Sequence, residues 1–180
     1  MGIECISSNR IFSFNELPKK TKYEVAVIGR SNVGKSSLIN AIFNTNISRT
    51  SKTPGCTVWI GVYEMKNALL FDLPGYGYAQ KSQSVTKRCE ILINSLLSSQ
   101  RLNELWILID SRRNVQLIDE VVIQSAISFE IPCKLIATKC DKKISSNTNY
   151  DFITSTRVPQ TLRPLIQYTK KLVLTKESML

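Results

Sequence analysis

Gly29-Arg30-Ser31-Asn32-Val33-Gly34-Lys35-Ser36 is the stretch on which the reading of this chain turns. Its spacing, Gly-x-x-x-x-Gly-Lys-Ser, is that of a phosphate-binding loop. Tyr23 to Ile28, just before it, is a short run rich in β-branched residues and predicts a buried strand. Ser36 to Phe43, just after it, carries Leu38, Ile39, Ile42 and Phe43 at helical spacing. A glycine-bearing turn from strand to helix lets the backbone approach a phosphate closely. Its N–H groups and the helix N-terminus then supply partial positive charge. In that setting Lys35 reaches the β- and γ-phosphates and the Ser36 hydroxyl ligates Mg²⁺. The competing reading, a chance Gly/Ser-rich turn, does not account for the strand and helix on either side.

Three downstream segments narrow this to a guanine nucleotide. Asp72-Leu73-Pro74-Gly75 ends a strand and matches a DxxG element. Its carboxylate would hold Mg²⁺ through water, and the Gly75 N–H would sense the γ-phosphate. The polar stretch 45–56 reads as a mobile loop carrying Pro54-Gly55, and Thr57 follows it. Thr57 would close over the metal while the triphosphate is bound and relax after hydrolysis. Thr138-Lys139-Cys140-Asp141 follows a strand and resembles the guanine reader [N/T]KxD. Asp141 would accept both hydrogen bonds from N1–H and the exocyclic amine of guanine, a donor pair that adenine lacks. The Lys139 stem would pack along the base. Each segment alone is weak; their order along the chain gives the signal its force.

The remaining periodicities predict strands at Val58–Met65, Ala68–Phe71, Leu105–Ile109 and Cys133–Ala137. They predict helices over about Thr86–Leu97 and Val115–Ile127. The first two of these strands pair across a turn at Lys66-Asn67. Strands alternating with helices give an α/β fold with a mostly parallel, doubly wound central sheet flanked by helices; with the phosphate loop, DxxG and TKxD motifs on it, the expectation is a three-layer P-loop GTPase domain. Residues 1–22 read as an N-terminal arm ending in the basic Lys19-Lys20-Thr21-Lys22, and residues 23–180 as a single domain.

Arg30 to Ser37, Arg49 to Thr57 and Asp72 to Ala79 together are similar to the EngB family (YihA/YsxC-type) in the Era/EngA/EngB branch of translation-factor-related GTPases. The resemblance runs from about residue 3 to residue 172, and its most specific strings are SKTPG and DLPGYGYA. It implies GTP and GDP as ligands with Mg²⁺, held metal-side by Ser36, Thr57 and Asp72. It implies nucleotide contacts from Gly29, Arg30, Ser31, Asn32, Val33, Gly34, Lys35 and Ser36, and from Gly55, Cys56, Thr57, Val58 and Trp59. Asp72, Leu73, Pro74 and Gly75, and Thr138, Lys139, Cys140 and Asp141, complete that set. It also implies a role in assembly of the large ribosomal subunit, linked to cell division and septation. The chain departs from the family after Asp141. Only Lys142 to Tyr150 separates the motif from the next strand, so the family's helix there is expected to be reduced or absent. The last guanine-contacting element then falls at Thr154-Ser155-Thr156, and Thr161 stands where a glycine is usual.

Hydrolysis is expected to be slow. In Ras-like enzymes a glutamine after DxxG orients the attacking water; here that position is Tyr76. Lys35, Thr57 and Asn32 carry the catalytic reading. Asn32 either helps hold K⁺ beside the phosphates, as in related GTPases, or only caps its loop by hydrogen bonding. Arg30 and Arg49 are read as solvated or partner-contacting side chains rather than arginine fingers.

Composition bounds the partners and the compartment. Twenty-four Lys+Arg against 14 Asp+Glu give +10, which favours a polyanion such as ribosomal RNA. Five cysteines with no CxxC spacing and no histidine exclude a Cys/His zinc site and a histidine base. Reduced thiols, no secretory leader, no myristoylation pattern and no apolar run near ~18 residues point to a cytoplasmic protein without a membrane segment. A monomer is expected. Three functions remain open: an assembly factor docking on the large ribosomal subunit and its RNA; a membrane-surface or division-site switch using the same charge on lipid; and a protein-interaction switch that never touches RNA.

Overall fold

The computed structural model describes residues 2–48, 59–77, 82–142 and 149–174. β1 (Ser7–Ile11), β2 (Tyr23–Gly29), β3 (Ile60–Glu64), β4 (Ala68–Asp72), β5 (Glu104–Asp110), β6 (Cys133–Thr138) and β7 (Phe152–Ile153) form one sheet in the order β1-β3-β4-β2-β5-β6-β7. β3 runs against β1 and β4, and the other pairings are parallel.

Helices cover both faces, which is why the central strands are apolar without alternation. Successive residues of β2 point to opposite sides. Ala26 and Ile28 join the core under α2 (Gln83–Leu97) and α3 (Leu117–Ser128), with Leu92, Leu96 and Ala126. Val25 and Val27 join the core under α1 (Lys35–Phe43) and α4 (Arg163–Leu174), with Leu38, Ile39, Ile42 and Leu165. The expected three layers are thus present, and the phosphate loop leaves the sheet between β4 and β5. No described helix is long and apolar enough to cross a membrane.

Two buried carboxylates on the sheet are met by donors. Glu24 on β2 is fully enclosed and takes two bonds of 2.6 Å from the Arg101 guanidinium. Glu104 accepts from Trp106 Nε1 at 2.8 Å and from the Tyr168 hydroxyl at 2.7 Å. A carboxylate in the core without such partners would cost several kcal/mol, about 3–5 when one partner of a buried pair is removed.

Two elements differ from the sequence reading. Residues 1–22 carry an edge strand: β1 pairs with β3 from Ser7↔Glu64 to Ile11↔Ile60. Ahead of it, Ile3 is buried and its N–H donates to the Ile42 carbonyl at 3.0 Å. Only Ile11 of the strand's five residues is buried, so it has no apolar alternation to find. α2 starts three residues earlier than the apolar pattern, because the Ser82 hydroxyl caps the Val85 N–H. After β6, residues 139–142 and 149–151 contain no helix; 143–148 lie outside the described residues.

Candidate nucleotide site

The phosphate loop is set by crowding at its base. A Cβ on Gly29 would lie 2.9 Å from the Leu108 carbonyl oxygen and 3.0 Å from a Val33 methyl, so β2 can leave the sheet here only as glycine. The loop then passes through left-handed backbone at Asn32 (φ 63°) and Gly34 (φ 111°). Gly34 is the N-cap of α1 and makes no side-chain cap bond. No side chain caps the first turn of α1, and a helix N-terminus carries partial positive charge, which favours an anion. Lys35 and Ser36 sit on that first turn.

Asp72, at the end of β4, is the acidic group facing this loop. It is 5% exposed. The Ser48 hydroxyl donates to its Oδ2 at 3.1 Å, while Oδ1 has no partner among the described residues. Burial pushes its carboxyl above the usual range, with the nearby Lys35 ammonium and the Ser48 bond pulling the other way. A buried carboxylate oxygen left bare beside a serine hydroxyl is the donor chemistry of a hard, oxygen-seeking dication. The residues present therefore fit Mg²⁺.

Ser48 is a site residue that sequence reasoning missed. Its backbone is clamped by Asn40 of α1: Nδ2 donates to the Ser48 carbonyl at 2.9 Å, and Oδ1 accepts the Ser48 N–H at 2.7 Å. The pairing spans eight residues and has no sequence signature.

A cleft of about 230 Å³ opens on the other side of the loop. Gly34, Thr138, Lys139, Asp141, Ser155 and Thr156 are among its lining residues. The Ser155 hydroxyl donates to Asp141 Oδ1 at 2.5 Å and holds that carboxyl below the usual range. The bond fixes the Asp141 carboxylate at the edge of the cleft. The element expected at Thr154-Ser155-Thr156 is therefore at the reader. Thr154 continues the sheet, its N–H donating to the Ala137 carbonyl at 2.8 Å. Cys140 joins through its N–H to the Thr154 carbonyl at 3.1 Å. Thr161, where a glycine is usual, accepts the Ser155 N–H at 2.8 Å and so closes the reader loop.

The reader and the phosphate loop are tied directly. Thr138 Oγ1 donates to the Val33 carbonyl at 2.7 Å, and Lys139 Nζ donates to the Asn32 carbonyl at 2.7 Å. Lys139 also pairs with Asp110 at 3.0 Å, and Asp110 takes two bonds from the Arg112 guanidinium. The Lys139 ammonium is thus a strut between β5, β6 and the loop. The Asn32 side chain has no hydrogen-bond partner among the described residues, so the loop-capping alternative finds no support there.

Leu73 continues β4 by donating its N–H to the Val27 carbonyl at 3.0 Å. Gly75 packs on the loop: a Cβ there would lie 3.1 Å from Ser31 Oγ. Tyr76 bridges to the loop through its carbonyl, which accepts the Ser31 N–H at 2.9 Å. Its phenol turns to α3 and donates to Asp119 Oδ1 at 2.7 Å. Trp59 stands before β3 under the Arg10 guanidinium, 4.5 Å from its ring centre. Gly55, Cys56, Thr57 and Val58 lie outside the described residues.

The fold, the phosphate loop and the adjoining cleft define a P-loop nucleotide-binding domain. A family model described as 50S ribosome-binding GTPase matches residues 24–139. A probable GTP-binding protein EngB of Coxiella burnetii is 43% identical over 132 residues, 72% of this chain and 64% of its own length. The crystal structure of a probable GTP-binding protein EngB superimposes with a TM-score of 0.66 at 21% identity, covering 83% of this chain and 98% of its own. The crystal structure of Era with MgGDPNP and nucleotides 1506-1542 of 16S ribosomal RNA matches with a TM-score of 0.54 at 24% identity, covering 83% of this chain and 46% of its own. The chain belongs to the EngB family of GTP-binding proteins, and it spans somewhat under two thirds of the length of the curated relative described.

Removing the Ser48 hydroxyl should act through Asp72. Ser48→Ala is expected to weaken Mg²⁺-supported GDP binding roughly tenfold. Nucleotide titration checks this, and the wild type and variant should converge in EDTA.

Proposed function

We propose that this chain is a GTP-driven switch, a slow GTPase that acts in assembly of the large ribosomal subunit by docking on its RNA. The observation that carries the guanine assignment is Asp141, held by the Ser155 hydroxyl at a cleft that adjoins the phosphate loop. Asp141 would take the two guanine donors, and Lys139, held by Asp110 and the Asn32 carbonyl, would flank the base. Lys35 and the amides of the α1 first turn would bind the phosphates. Mg²⁺ would be held by Ser36, Thr57 and Asp72, and it supplies charge neutralisation at the β- and γ-oxygens.

Slow turnover follows from Tyr76, whose phenol is engaged with Asp119 and whose chemistry differs from a carboxamide. Asn32, exposed at the turn of the loop with a free side chain among the described residues, would complete a K⁺ site beside the phosphates. GTP hydrolysis is therefore expected to run faster in KCl than in equal NaCl, and Asn32→Ala should remove the difference.

The RNA reading rests on the +10 charge, on exposed basic pairs at Lys19-Lys20, Lys87-Arg88 and Arg112-Arg113, and on the description of the matching family. The resemblance adds the link to normal division and septation; the cysteine usage of the sequence favours the cytoplasm, and a monomer is expected. The alternative is a membrane- or division-site switch without RNA contact. Co-sedimentation with large ribosomal subunits separates them. Association in a GTP analogue, lost in GDP and falling steeply with salt, is expected; no association in the analogue at low salt rules the ribosomal reading out.

A further inference from the structure

Tyr76 is fastened to three separate parts of the structure. Its carbonyl accepts the Ser31 N–H at 2.9 Å, and its N–H reaches the Gly29 carbonyl at 3.4 Å. Its hydroxyl donates to Asp119 Oδ1 at 2.7 Å. Burial and then the Asp119 carboxylate push the phenol's ionisation upward, so it stays a donor. The ring itself packs against the core beneath α2 and α3.

Asp119 is unusual in its own right. It is a carboxylate 1% exposed on the first turn of α3. Its other oxygen accepts the Gln116 N–H at 3.0 Å, closing the helix cap. Asp119 is thus committed on one side to the start of α3 and on the other to the DxxG segment. Neither the binding of phosphates nor the reading of guanine uses it. A buried carboxylate needs donors, so its bond to Tyr76 is strong relative to an exposed one.

Gly75 lies between Asp72 and this anchor and packs against Ser31. Only a triphosphate presents a γ-phosphate to the Gly75 N–H, so whatever holds Gly75 on the loop favours GTP over GDP. We propose that Asp119 is a positioning residue for the GTP state: through the Tyr76 hydroxyl it latches the DxxG segment onto the phosphate loop. Gly75 then meets the γ-phosphate without a further ordering cost. The latch also links the phosphate loop to α3, so GTP binding and the packing of the α3 N-terminus stabilise each other. This rests on the guanine-nucleotide reading above and extends it to how the chain tells GTP from GDP.

The test is a set of dissociation constants for GDP and a non-hydrolysable GTP analogue, both with Mg²⁺. The proteins are the wild type, Tyr76→Phe, Asp119→Ala, Asp119→Asn and the Tyr76→Phe/Asp119→Ala double variant. Tyr76→Phe keeps the ring in the core and removes only the hydroxyl. It should weaken the analogue about tenfold or more while GDP affinity changes less than about twofold. Asp119→Ala should do the same, and the double variant should lose no more than either single one. Asp119→Asn, which retains an acceptor for the hydroxyl, should recover most of the preference lost in Asp119→Ala. GDP affinity and the unfolding temperature serve as the controls for a merely structural effect. Equal weakening of both nucleotides, an unchanged ratio, or additive losses in the double variant would overturn the latch. If the wild type binds neither nucleotide, the guanine reading falls and takes the latch with it.

Discussion

The buried bond from Thr138 Oγ1 to the Val33 carbonyl, 2.7 Å long, holds the two halves of this site in one frame. One half is the phosphate loop, which leaves β2 at Gly29. The other is the reader, which leaves β6 at Thr138. Between them β5 pairs with both strands, and Lys139 repeats the tie one residue further along. A bound nucleotide must touch base and phosphate at a fixed separation. That separation is set by sheet register and by these two short bonds, so little is left to loop motion. Because the phosphate loop's only non-glycine left-handed residue is Asn32, whose carbonyl Lys139 grips, the strained turn is also the supported one.

The same frame explains how charge is disposed. Each acidic group at the site has a different environment and a different task. Asp110 is held well below the usual carboxylate range because Arg112 and Lys139 outweigh its partial burial, which makes it a permanent anchor. Asp141 sits below the usual range mainly through one serine hydroxyl, which also fixes its position and leaves acceptor capacity for a base. Asp72 is pushed up by burial and keeps one oxygen without a partner among the described residues, a state that a cation relieves. Asp119 lies outside the phosphate and base contacts and ties the DxxG segment to α3.

Much of this is visible in the sequence, for a physical reason. Fully buried parallel strands such as β2 and β5 are continuous apolar runs, and the phosphate loop, DxxG and TKxD sit at their ends. Local chemistry is enough to find them. The placement of Ser155 follows from the same logic, since the reader loop must return beside β6. What the sequence hides depends on contacts between distant segments. β1 buries one residue and is a strand only because β3 offers an edge. Ser48 and Asn40 are ordinary polar residues until α1 brings them together under Asp72. Asp119 reads as a helix-start carboxylate, and only packing shows that it faces Tyr76. Thr161 looks like the loss of a glycine, yet its hydroxyl organises the loop in which glycine is usual.

A frame that reads guanine with Asp141 while α1 and Asp72 hold phosphates and metal must discriminate sharply between bases. Competitive titration with GDP, GTP and ATP, with and without Mg²⁺, on the wild type and Asp141→Asn, tests it most directly. Tight GDP and GTP binding strengthened by Mg²⁺ is expected, with ATP weaker by at least about a hundredfold and that discrimination lost in Asp141→Asn. ATP competing as well as GDP on the wild-type protein would contradict it.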